Sequence, residues 1–151
     1  LTSHLGKSTK IQDFEGKVVA IFFGFTYCPD ICPTTMHELK TIKDSLGDDR
    51  DKLQVIFVSL DPERDTIKLM EKYVPSFDSS FIGLTGSADN IKKIASQYKV
   101  FYQKVGDGKN YTIDHSSAIY LIDKKGNIRV RHTYGSSQAM IISDIRSLIS
   151  I

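Results

Sequence analysis

The run Val18 to Phe25 is the most apolar stretch of the chain, and it breaks at Thr26-Tyr27-Cys28-Pro29-Asp30-Ile31-Cys32-Pro33 into a segment of helical periodicity. β-Branched and aromatic residues without polar alternation mark a strand covered on both faces, whereas Met36, Leu39, Ile42 and Leu46 recur at the spacing of a helix packed through one side. A buried strand that turns into a helix over so short a loop demands a layered α/β arrangement. The unit then repeats. Leu53 to Leu60 reads as a second apolar strand closed by Asp61-Pro62, and Thr66 to Val74 places Ile67, Met70 and Val74 on one helix face. Phe81 to Leu84 is a shorter strand, after which Ser87 is placed to cap a helix to about Tyr98 with Ile91, Ile94, Ala95 and Tyr98 inward.

Past Tyr98 the pattern becomes antiparallel. Val100 to Val105 and Tyr111 to Ile113 flank the hairpin-like turn Gly106-Asp107-Gly108-Lys109-Asn110, and Ala118 to Ile122 pairs with Ile128 to His132 across Asp123-Lys124-Lys125-Gly126-Asn127. Ser136 or Ser137 caps a closing helix whose apolar stripe is Met140, Ile141, Ile145, Leu148 and Ile149. This order predicts an α/β fold of thioredoxin-like type, a mixed central β-sheet with helices on both faces. At 151 residues the chain suits a single domain spanning 1–151. Lys and Arg outnumber Asp and Glu by only 20 to 18 and are scattered, which argues against a nucleic-acid partner. No stretch approaches the roughly 18 apolar residues that cross a bilayer, and the start at Leu1 rather than Met leaves room for an upstream targeting or anchoring segment.

Cys28 and Cys32 are the only cysteines. A disulfide between them would close too short a loop to restrain the unfolded chain much, so their value is chemical. Pro33 disfavours a helical conformation for Cys32 while suiting the first helical turn itself, which puts both sulfurs at the mouth of a helix. Unpaired amides and the helix dipole there are expected to lower the thiol pKa values. Two sulfurs sharing a metal at about 2.3 Å each sit roughly 4 Å apart, within reach of this spacing. Soft thiolates suit an ion such as Cu(I), and a trigonal site needs a third ligand. His115, expected on a loop just ahead of the Ala118 strand, is the candidate for that ligand. His4 in an N-terminal tail, His37 on a helix and His132 on an edge strand read as structural. Met36, Met70 and Met140 read as packing, and Asp65 as the cap of the helix that follows it.

Gly24-Phe25-Thr26-Tyr27-Cys28-Pro29-Asp30-Ile31-Cys32-Pro33, followed by Ser59-Leu60-Asp61-Pro62-Glu63-Arg64-Asp65-Thr66, Leu84-Thr85-Gly86 and Asp114-His115, resembles the Sco (SenC) family over nearly the whole chain. The resemblance implies a thioredoxin-like domain that binds one copper ion, as Cu(I) or Cu(II), and assists assembly of the dinuclear copper centre in subunit II of cytochrome c oxidase. It implies a membrane tether through an N-terminal segment, on the periplasmic side of a bacterial membrane or in the mitochondrial intermembrane space. Further partners would be other copper chaperones or thiol-disulfide proteins. Carried over by position, the metal ligands are Cys28, Cys32 and His115, and Asp61 is a candidate for support of the site or for partner contact. Copper would be held by the reduced thiols and released when Cys28 and Cys32 form a disulfide. The main rival is a thiol-disulfide reductase with Cys28 as attacking thiolate and Cys32 as resolving thiol, which leaves His115 without a necessary role. A peroxidase fits less well, because the sequence offers no obvious cationic group at a defined position beside Cys28, which leaves only the distant Arg64 and Arg131 as candidates.

Overall fold

Two strands with no polar face have to lie side by side inside a sheet, and here they do. The computed structural model describes residues 1–28, 31–106, 111–115 and 117–151. In chain order its elements are β1 (Thr2–Ser3), β2 (Val18–Gly24), α1 (Ile31–Ser45), β3 (Leu53–Ser59), α2 (Ile67–Tyr73), β4 (Ile82–Thr85), α3 (Ala88–Gln97), β5 (Tyr102–Val105), β6 (Thr112–His115), β7 (Ala118–Ile122), β8 (Ile128–Thr133) and α4 (Gln138–Ser150). β2 and β3 run parallel in the middle, in register from Val18 opposite Leu53 to Gly24 opposite Ser59. Around them the sheet order is β1-β4-β3-β2-β7-β8, with β4 parallel to β3, and with β1, β7 and β8 antiparallel to their neighbours.

The two-residue alternation of β2 sorts the core into two layers. Val18, Ala20 and Phe22 face a layer built by Cys32, Met36, Leu39 and Ile42 of α1, Met70 of α2, and Ile141, Ile145, Leu148 and Ile149 of α4. Val19, Ile21 and Phe23 face the opposite layer, where Ile91, Ile94 and Ala95 of α3 pack. Each fully buried side chain of this size contributes about 1.5–3 kcal/mol, so covering both sheet faces is the main driving term. The result is the thioredoxin-like arrangement expected from the strand and helix order.

Several local expectations are corrected. α1 begins at Ile31, so Cys32 and Pro33 lie within its first turn; backbone N–H groups there have no intrahelical acceptor, and Pro33 forfeits nothing by lacking one. Asp65 does not cap α2. Thr66 does, its hydroxyl oxygen accepting from the Leu69 N–H at 3.2 Å. Ser137 occupies the cap position of α4 but makes no side-chain cap bond, and the Ser136 hydroxyl donates to the Thr133 carbonyl at 2.7 Å. Met140 is 61% exposed and lies outside the stripe assigned to it, because one residue turns a helix by about 100° and so carries Met140 off the face on which Ile141, Ile145 and Leu148 are buried. His4 is not in a free tail: β1 pairs with β4, and the buried His4 ring accepts the Gly83 N–H at Nδ1, 3.0 Å. β5 and β6 pair antiparallel but form a two-stranded sheet of their own. Most of the turn expected between them, residues 107–110, lies outside the described residues.

Candidate metal centre

The central strands aim the end of β2 at the start of α1. Gly24 closes β2, Cys28 follows on the connecting loop with its N–H donating to the Phe25 carbonyl at 3.2 Å, and Cys32 stands in the first turn of α1. From a segment 83 positions along the chain from Cys32, the β5–β6 hairpin brings His115, the last residue of β6. It therefore sits at a strand end paired with Tyr102, not on a free loop as expected.

Cys32 Sγ lies 3.7 Å from His115 Nε2, and the ligand atoms of Cys28, Cys32 and His115 all fall within 4.8 Å of one another. Cys32 is completely buried, Cys28 is 9% exposed and His115 is half-buried. The imidazole stands edge-on to two rings, with centroids 6.3 Å from Phe22 and 5.8 Å from Phe25. Gly24 makes the close approach possible. A Cβ at this position would fall 2.7 Å from Cys32 Sγ and about as close to the rings of Phe22 and Phe57, 3.0 and 3.1 Å. A glycine inside an otherwise unbroken apolar run is a sequence signal of such an approach, and it identifies a residue of the site that reading the cysteines alone misses.

The electrostatics reverse one expectation. A hydrogen bond shared with Cys28 and burial both push the Cys32 thiol far above its ordinary range, although a backbone hydrogen bond at Phe25 pulls the other way. Two thiolates pressed together in an apolar pocket repel, and the helix mouth does not offset that. What would relieve the repulsion is a cation between them, since a coordinating metal displaces thiol protons. Two soft sulfurs and an imidazole within this span could hold one soft metal ion.

The remaining candidates lie apart from this cluster. His37 is exposed on α1, while His132 on β8 packs against Asp144 with its Nε2 2.8 Å from the carboxylate. Met36 and Met70 are buried in the core. Asp61 is 2% exposed: it accepts from Arg64 Nε at 2.6 Å and from the Tyr111 hydroxyl, so it does not face a partner directly. Asp65, fully buried, accepts from the Thr26 N–H at 3.0 Å, the Thr26 hydroxyl and the Ser59 hydroxyl at 2.6 Å, and thereby fixes the loop that leads to Cys28.

Residues 1–150 match the family described as SCO1/SenC. The chain belongs to the SCO1/SenC family. Among its curated relatives, the SCO2-like protein of Rickettsia prowazekii is 40% identical over 143 residues, which cover 93% of this chain and 69% of the relative. The mitochondrial SCO2 homolog of Bos taurus is 35% identical over 150 residues, 97% of this chain and 56% of that protein. The chain thus spans about half to two thirds of the length of these SCO relatives. Two solved ScoI structures with copper bound share the fold. ScoI of Arabidopsis thaliana superposes with a TM-score of 0.92 at 32% identity, covering 99% of this chain and 94% of the other. The structure of Bradyrhizobium japonicum ScoI gives 0.89 at 37% identity, with 98% and 95% covered.

Proposed function

We propose that this chain is a copper-binding metallochaperone that holds one copper ion as cargo through Cys28, Cys32 and His115 and assists assembly of the dinuclear copper centre in subunit II of cytochrome c oxidase. The observation that carries the reading is the convergence of two sulfurs and an imidazole, from remote parts of the sequence, within 4.8 Å. Copper-bound relatives of the same fold support the choice of metal. A membrane tether outside the globular region, on the periplasmic side of a bacterial membrane or in the intermembrane space, accords with the mitochondrial designation of the Bos taurus relative.

In this reading the thiol pair is also the gate. Reduced, Cys28 and Cys32 give up two protons and bind copper with His115. Oxidised, their electrons having passed to a partner disulfide that becomes two thiols, they form a disulfide, and two of the three donors are lost. The rival, a reductase of partner disulfides, uses the same two sulfurs but assigns no work to an imidazole 3.7 Å from Cys32.

Titration of the fully reduced protein with Cu(I) against a competing chelator tests the proposal. One tight equivalent is expected, with weaker binding in His115→Ala and none of comparable affinity in Cys28→Ala, Cys32→Ala or in the disulfide form. Retention of one tight site by the double cysteine variant would overturn the assignment. Turnover of a disulfide substrate without any effect of His115→Ala on copper affinity would favour the reductase.

A further inference from the structure

His115 stands at the end of a hairpin that lies outside the six-stranded sheet, with Ile113 of β6 buried in the core and Tyr102 of β5 packed against both layers. β5 and β6 form a separate two-stranded sheet, and such a pair is marginal in water without outside support. Its tie by hydrogen bond to the loop after β3 is made by Tyr111, the residue before β6. Tyr111 is buried and donates its hydroxyl proton to Asp61, on the loop after β3. Its ring lies under the guanidinium of Arg64, 3.6 Å from ring centroid to Cζ, and Lys104 of β5 brings its ammonium to 4.0 Å from the same centroid.

The same guanidinium reaches the other half of the site. Arg64 Cζ stands 4.4 Å over the ring of Tyr27, the neighbour of Cys28, and 6.0 Å from Phe25, whose ring meets the His115 imidazole edge-on. Meanwhile Arg64 Nε donates to Asp61, so one buried carboxylate anchors both the arginine and the tyrosine. A flat, delocalised cation can cover two aromatic faces while hydrogen-bonding a carboxylate in its plane; a lysine ammonium cannot.

We propose that Arg64, together with Tyr111 and Asp61, is the positioning element that sets the His115 imidazole against the two cysteines. Arg64 bridges the loop carrying Cys28 and the hairpin carrying His115, and acts on the metal only through the position of that ring. This rests on the reading of Cys28, Cys32 and His115 as copper ligands. Groups that orient a ligand without touching the metal typically alter affinity by about 10–100-fold when removed.

The test uses Arg64→Lys, which keeps a positive charge beside Asp61, and Tyr111→Phe, which keeps the ring and loses the hydroxyl. In the reduced, metal-free protein, NMR cross-peaks between the His115 and Phe25 rings are expected to weaken in both variants. Cross-peaks between Phe23 and Tyr120, whose centroids lie 5.9 Å apart in the opposite core layer, are expected to persist. Cu(I) affinity is expected to fall about tenfold in Arg64→Lys but to be unchanged by that substitution in a His115→Ala background. Unaltered His115 contacts, an equal affinity loss without the imidazole, or loss of the Phe23 and Tyr120 cross-peaks as well would each overturn the proposal. If the parent protein binds no Cu(I), the copper reading fails, and the metal-free cross-peaks still decide the role of Arg64.

Discussion

Gly24→Ala is the substitution whose outcome the packing of the site specifies most sharply. The added methyl carbon would sit 2.7 Å from Cys32 Sγ, 3.0 Å from Phe22 Cε2 and 3.1 Å from Phe57 Cε2. Comfortable contacts between such atoms begin near about 3.5 Å, so Cys32 must give way by about 0.8 Å and the two phenylalanine rings by about 0.4–0.5 Å. None has room, since Cys32, Phe22 and Phe57 are all at most 1% exposed. Overpacking of this kind costs about 1–3 kcal/mol. The lost backbone freedom of the unfolded chain offsets about 0.4–1 kcal/mol, which leaves a net destabilisation on the order of 1–2 kcal/mol. For a chain of this length that lowers Tm by about 2–8 °C. Urea unfolding should show a lower midpoint with an unchanged m-value, and Cu(I) affinity should fall because Cys32 is the first atom displaced. Adding Cys32→Ala removes the nearest obstacle, so the double variant should be more stable than the sum of the single effects implies, by about 0.5 kcal/mol or more. A Gly24→Ala protein at least as stable as the parent, with the same copper affinity, would refute the tight approach of β2 to Cys32.

Other outcomes follow from single features of the fold. Asp65→Ala removes the acceptor of the Thr26 N–H, the Thr26 hydroxyl and the Ser59 hydroxyl, and should destabilise by about 3 kcal/mol while loosening the Cys28 loop; Asp65→Asn, which keeps an acceptor, should be milder in the same urea assay. Thr66→Ala deletes the cap of α2 and should cost about 1 kcal/mol, checked by thermal unfolding. Burial pushes the Asp78 carboxyl up, but the N–H and hydroxyl of Ser80, the Lys40 ammonium and the Arg50 charge outweigh it and hold the group well below the usual carboxylate range. A folded value below the unfolded one gives stability that is present above about pH 4 and lost as the pH falls further. Asp78→Asn should therefore unfold more easily than the parent at pH 7, and the gap should narrow as the pH drops below 4; a gap constant between pH 7 and pH 3 would contradict this.

How much of this could be read from residue order depends on how local the cause is. β2, β3 and their following helices are legible because an unbroken apolar run and a three-to-four-residue repeat each have one economical partner, a buried sheet and a helix face. Cys28 and Cys32 declare themselves by adjacency to that strand. His115 is harder: its value lies in a meeting of chain segments 83 positions apart, which no local periodicity encodes, and its place just ahead of the Ala118 strand, to which the family resemblance then added, singled it out. The bonds of Asp65 to Thr26 and Ser59, and of Asp61 to Tyr111, are hidden for the same reason. A buried carboxylate takes whichever donors the folded loops present, so a cap is the natural but mistaken local reading for Asp65. The raised Cys32 thiol pKa comes from its hydrogen bond with Cys28 and from burial, and a rule about helix ends alone misjudges its sign.

X-ray absorption at the copper edge of the reduced protein, loaded with one equivalent of Cu(I), tests the central claim most directly. Two sulfur scatterers and one imidazole nitrogen are expected in the parent, with the imidazole signature absent from His115→Ala. A first shell without sulfur, or a spectrum that survives unchanged in Cys28→Ala, Cys32→Ala, would contradict it.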